Sequence, residues 1–274
     1  MLEKLKHLDR RIIYVCLALS VVLPMLMPIG LPVTVSREVK SAFEFIDKLP
    51  AGSRVLFSND YDPSSKAELY PMNVALLAHC FRNKIRVVAM ALWPMGGTEM
   101  NNAFNELKVE FPDIRYGVDY INMGYKAGQS IVINSIGTDF TTAFPSVEGK
   151  KVRDIPILQD VNDYSSFNAI INLSAGTPGT KEWIAFAGTK FNIPTVSGCT
   201  AVSAPDFYPY FQSKQLFGLL PGLAGAAEYE YLVKRPGKGL KGMDAQSMAH
   251  LVIGLFIILG NCIVFYEKFF VRAK

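Results

Sequence analysis

"RVLFSNDYDPSSKAELYPMNVALLAHCFRNKIRVVAMAL", residues 54–92, holds two short apolar runs separated by a helical pattern. "RVLFS" (54–58) and "IRVVAMAL" (85–92) are continuous rather than alternating, as strands covered on both faces are. Between them "PMNVALLAHCFRNK" (71–84) has the length and apolar spacing of a helix, and Pro71 suits its first turn, where a missing N–H costs nothing. Two such strands joined by a helix imply a parallel pair with a crossover connection.

The alternation extends in both directions. Upstream, Ser36 caps a helix with Val39, Ala42, Phe43 and Ile46 at i, i+3, i+4, i+7 spacing, ended by "LPAG". Downstream, "TEMNNAFNELKVEF" (98–111) and "KAGQSIVINSIG" (126–137) read as helices, "FNAIINLS" (167–174) as a strand, "TKEWIAFAGTKF" (180–191) as a helix and "IPTVSGCTAV" (193–202) as a strand. The pattern predicts a Rossmann-like three-layer α/β sandwich over 36–235, with a mainly parallel sheet of about five strands. Residues 112–165 carry no clear period and leave room for a hairpin or a long excursion. "QLFGLLPGLAGAAEYEYLV" (215–233) reads as a last helix, kinked at Pro221, with Gly218, Gly222 and Ala226 four apart on one face. Such a small-residue face packs closely, either on the domain's own sheet or as the seam of a homo-oligomer.

Both flanks read as membrane segments. "IIYVCLALSVVLPMLMPIGLPVTV" (12–35) and "LVIGLFIILGNCIVFY" (251–266) carry no charge. The expected spans are 12–31, helical over about 12–27 before Pro28 and Pro32, and 247–266, since about 20 apolar residues cross a bilayer. A cleaved leader is disfavoured because no small-x-small cleavage site follows the first run. The tails 1–11 and 267–274 each carry a net +2, which accounts for the whole charge of +4. Short basic tails stay in the cytoplasm, so both termini are expected inside and the α/β domain outside. In the opposite topology Lys234 and Arg235 at the end of the domain and Lys238 and Lys241 of the 236–246 linker, with Arg37 and Lys40, would form a patch for anionic headgroups. Asn261, a polar amide deep in the second span, favours a partner helix or chain. Cys80 and Cys199, the two cysteines outside the spans, leave a disulfide and two thiols equally open.

In an open parallel sheet ligands bind beyond the carboxyl ends of the strands. That rule selects the loops "NDYDPSS" (59–65), "WPMGGTE" (93–99), "SAGTPGTKE" (174–182) and "SGCTAVSAPDFYPYF" (197–211). Asp60, Asp62, Trp93, Thr177 and Tyr208 would give one rim the carboxylates, hydroxyl and aromatic faces that suit a small polar solute. Ser174, Gly176, Thr177, Gly179 and Thr180 precede a helix start and would hold an anion there, unless Thr180 is only an N-cap.

Asp60-Tyr61-Asp62-Pro63-Ser64 resembles the D-x-D-x-[ST] motif of haloacid-dehalogenase-like phosphatases. The resemblance covers about a dozen residues. It implies Asp60 as nucleophile and Asp62 as general acid, with Ser174 where that family keeps its second-motif hydroxyl. The chain departs from the pattern in two ways: Ser58 and Asn59 intervene between strand and first acid, and the later acidic pair for Mg²⁺ is reduced to Asp206. No metal site or cofactor is expected, because one soluble histidine, His79, and two cysteines lack ligand spacing and the first loop lacks the dinucleotide glycines. Balanced charge over the domain gives no nucleic-acid signature. The sequence therefore predicts a membrane-anchored module that assembles into a homo-oligomer or larger complex and binds a small polar or anionic ligand, with a tethered hydrolase using Asp60 and Asp62 as the alternative.

Overall fold

The computed structural model describes residues 9–266 with Lys268 and Phe269; the rest of both basic tails lies outside the described residues. Residues 33–239 form one compact unit, and 1–32 with 240–274 form another.

In the larger unit the strands are β1 (Arg54–Asp60), β2 (Arg86–Ala91), β3 (Tyr120–Tyr125), β4 (Ser146–Val147), β5 (Lys150–Lys151), β6 (Ala169–Ser174), β7 (Thr195–Cys199) and β8 (Gly218–Pro221). Strands β4 and β5 make a small antiparallel hairpin. The other six form one sheet in the order β3-β2-β1-β6-β7-β8, with every neighbouring pair parallel. With the hairpin left out, this is the 3-2-1-4-5-6 order of doubly wound nucleotide-binding folds, and the order reverses between β1 and β6. The expected Rossmann-like sandwich is present, with six strands in place of about five.

The helices of this unit are α2 (Arg37–Asp47), α3 (Lys66–Arg82), α4 (Gly96–Leu107), α5 (Ser130–Thr138), α6 (Phe140–Ala143), α7 (Thr180–Trp183, continuing as a π turn over Ile184–Thr189), α8 (Tyr208–Gln212) and α9 (Gly222–Leu232). Alternate strand residues serve opposite layers. Val55 and Phe57 of β1 join Val39, Leu76, Phe104 and Tyr229 in one core, while Leu56 joins Ile133, Phe140 and Trp183 in the other.

Two expectations about elements are corrected. Helix α3 begins at Lys66, so Pro71 lies inside it rather than in its first turn. The Asp62 carboxylate accepts from the Ser64 N–H (3.0 Å) and closes a 3-10 turn, Pro63–Ser65, that starts the helix early. Residues 215–233 are not one helix: Gly218–Pro221 pairs with β7 as an edge strand, and α9 starts only at Gly222. Open ladder groups on β7 outcompete a helix turn that glycine and proline both disfavour. Gly218 therefore does not share a helix face with Gly222 and Ala226. An added Cβ at Gly218 would lie 2.3 Å from the Ala42 Cα, Gly222 has φ +56° against Ala201, and Ala226 is fully buried. Gly218, Gly222 and Ala226, for which the sequence left packing on the domain and an oligomer seam open, are covered by the domain itself.

In the smaller unit, one helix among the described residues is long and apolar enough to cross a membrane: α10 (Lys238–Tyr266), 29 residues whose most apolar stretch is 0% buried. The expectation of two such helices is corrected. Helix α1 (Arg10–Leu26) has 17 residues and contains Pro24. At 1.5 Å per residue it reaches about 26 Å, short of a core of about 30 Å. Its apolar side chains, among them Ile12, Val15, Leu19 and Leu23, are nonetheless exposed. The buried Asp244 carboxylate accepts the N–H groups of Ile29 (3.0 Å), Gly30 (2.9 Å) and Leu31 (3.1 Å), tying the chain that leaves α1 to α10.

Candidate functional site

Asp60 and Ser174 face each other in register at the ends of β1 and β6, where the strand order reverses. This is the crevice in which such sheets bind ligands. Here the chain fills it. One oxygen of Asp60 accepts from the Leu92 N–H (2.7 Å) and the other from the Asn172 amide (2.8 Å) and the Trp183 indole N–H (2.8 Å), with the Ser58 hydroxyl 2.8 Å from both. The carboxylate is fully buried, and burial pushes its pKa up to about 6 while the hydrogen bonds from Leu92, Trp183, Ser58 and Asn172 hold it down.

A hydroxyl cluster continues from this hub. Thr180 Oγ1 lies 2.6 Å from Ser197 Oγ, 2.8 Å from Ser174 Oγ and 3.1 Å from the Asn172 side-chain oxygen. All four side chains are buried. The Thr180 N–H donates to Ser174 Oγ (3.1 Å) and the Gly179 N–H to the Glu182 carboxylate (2.8 Å), so two backbone donors expected to hold an anion are bonded by the chain itself. Gly179 admits no side chain, since a Cβ would sit 2.7 Å from Ser174 Oγ.

The structure thus joins Asp60, Ser174 and Thr180 in one buried network, with Gly179 packed on Ser174 and with Ser174 also lining a notch beside Gly176 and Thr177, and leaves Asp62, Trp93 and Tyr208 outside that network. Asp62 caps its own turn, 2.5 Å from the Ser64 hydroxyl. Trp93 donates to the Pro178 carbonyl (2.8 Å), and its ring lies against Gly176. Gly176 and Thr177 line a notch of about 100 Å³ with Lys181 and Asp206, which pair at 2.9 Å. Tyr208 packs against the apolar group that contains Phe207 and Leu219.

Open polar space at the strand carboxyl ends lies instead beside β3. A hollow of about 380 Å³ is lined by Thr98, Asn101, Asn122, Tyr125, Ser146 and Glu148, with Gly97 and Gly124 at its base. Gly97 and Gly124 let the start of α4 approach the end of β3, where an added Cβ on Gly97 would lie 3.3 Å from the Gly124 Cα. The Asn122 amide donates to the Gly97 carbonyl (2.9 Å) and the Asn101 side chain (2.7 Å) and accepts from the Gly124 N–H (2.9 Å). Sequence reasoning selected the neighbouring loop 93–99 but missed Asn101, Asn122, Ser146 and Glu148. The signal was a polar Asn within an apolar run, "YINMGY". A larger cavity of about 480 Å³ opens near Ile85 and Arg86 at the amino ends of the strands and contains none of the predicted residues.

Among the described residues no group of three or more His, Cys, Asp or Glu side chains is placed to hold a metal ion. Cys80 and Cys199 are separate buried thiols, each pushed up to about 12 by burial. Comparison of the chain with protein-family models, with curated proteins and with solved structures finds no match.

Proposed function

We propose that the chain is a membrane-anchored α/β module that works by assembly, holding its Rossmann-like domain at a bilayer and taking a small polar ligand at the strand carboxyl ends. The observation that carries this reading is α10, whose apolar stretch is unburied among the described residues and so calls for lipid or a partner helix. The Asp244 clasp favours a two-span hairpin. It sets the chain just after α1 level with residue 244, from which the 22 residues to Tyr266 rise about 33 Å, enough to cross; α1 alone, at about 26 Å, does not reach that far, and a second crossing would need the extended residues 27 and 28 to complete it. In this reading both basic tails lie in the cytoplasm and the domain lies outside.

With Gly218, Gly222 and Ala226 occupied inside the domain, the assembly seam passes to α10, where Asn261 is an exposed amide among apolar side chains. The ligand site is the hollow beside Asn101 and Asn122, whose lining offers amides, hydroxyls and one carboxylate. The hydrolase alternative loses support, because a fully buried carboxylate with both oxygens engaged presents no lone pair to a phosphorus atom. Native mass spectrometry of the full chain released from mild detergent tests the reading. Multiples of the 30.3 kDa chain that fall apart on Asn261→Leu are expected, with a small-molecule mass retained. A lone monomer would remove assembly, and a bare chain would remove the ligand.

A further inference from the structure

His79 is 2% exposed and belongs neither to the polar hub nor to the hollow. It lies on α3, where α2 and α9 meet it. Its Nε2 is 3.3 Å from the Asp47 carboxylate of α2, its Nδ1 is 2.8 Å from the Tyr229 hydroxyl of α9, and the Phe43 ring of α2 stacks on it at 4.7 Å. Asp47, the charged partner, selects the tautomer against the Asn83 amide 3.4 Å from the same Nε2. A carboxylate only accepts, so Nε2 carries the proton and Nδ1 accepts from the Tyr229 hydroxyl.

From this geometry we infer that the junction of α2, α3 and α9 is an acid-sensitive latch, closed by neutral His79 and loosened when Nδ1 takes a proton. A second proton at Nδ1 turns the acceptor into a donor facing Tyr229. The tyrosine hydrogen, in a fully buried site, then loses its acceptor.

The charged and titratable groups around the ring are few. Asp47 favours the imidazolium but is half-exposed and screened, and Arg82 on the same helix opposes it. Asn83 is neutral and bonds Asp47 (3.2 Å), while Cys80 is a buried thiol held above its ordinary pKa. Burial of the ring outweighs Asp47, and the imidazole pKa lies below its ordinary value. A lowered histidine pKa means that the opened junction binds more protons than the closed one. Stability is therefore present above the unfolded pKa of about 6.5 and is lost as pH falls through the folded value.

Amide hydrogen exchange of the full chain in detergent, followed over residues 37–47 and 222–232, tests the latch. After correction for intrinsic rates, the opening of both helices should rise as pH drops below about 6.5, by up to tenfold per pH unit for one proton. His79→Gln keeps a donor and an acceptor without a charge and should abolish that rise. Asp47→Asn keeps the acceptor and drops the charge, and should leave the onset near 6.5 while carrying the rise to lower pH before it levels off. Opening independent of pH in the wild type, or a slope unchanged in both variants, would overturn the inference.

Discussion

Asp60 shows how one residue can look catalytic and be structural. Its carboxylate draws together the backbone after β2, Asn172 of β6 and Trp183 of α7. Because burial raises its pKa from 3.8 to about 6, its contribution to stability is fully present below about 4 and is lost as pH rises through about 6. Asp60→Asn removes the titration and turns an amide N–H into a site where the Leu92, Asn172 and Trp183 N–H groups only donate and the Ser58 hydroxyl alone can accept, so it should be less stable at every pH. The advantage of the wild type over Asp60→Asn should shrink by on the order of 3 kcal/mol between about pH 4 and pH 6, read from thermal melts in detergent. An advantage that grows over that interval would show Asp60 to be stabilised as the anion. Asp60 stood out in the sequence because it ends an apolar run. Its role did not, since three of its donors come from residues 32 to 123 positions away.

At the scale of elements, continuous apolar runs were legible and marginal ones were not. Strands β1, β2, β6 and β7 are apolar enough to be read directly, and their boundaries shift by only a few residues in the structure. Strand β3 carries Asn122 and Gly124 because its end builds a polar hollow, and that interruption hid it. Strand β8 is four residues long and was absorbed into an apparent helix, since its identity depends on the free edge of β7. Of the small residues for which the sequence left the domain's own sheet and an oligomer seam open, Gly218 marks a close approach of α2, so Gly218→Ala should destabilise the domain by about 1–3 kcal/mol, as overpacking does. Denaturant melts check this, and an unchanged midpoint would mean that Ala42 gives way without cost.

At the scale of the whole molecule, apolar length made a helix of spanning length legible at 247–266, while Pro24 and the early end of α1 leave the first apolar run short of one. The hollow at β3 was largely illegible, because the topology brings its wall together from segments 93–101, 122–125 and 146–148. The central claim is that apolar α10 holds an α/β domain at a bilayer. The most direct measurement uses full-length Val202→Cys, a position 89% exposed in the domain, treated in intact cells with a membrane-impermeant maleimide before the membranes are washed at alkaline pH. The account predicts that the chain stays in the washed membrane pellet and already carries the label. Release into the alkaline supernatant would contradict the anchor, and a pelleted chain labelled only after lysis would contradict the orientation.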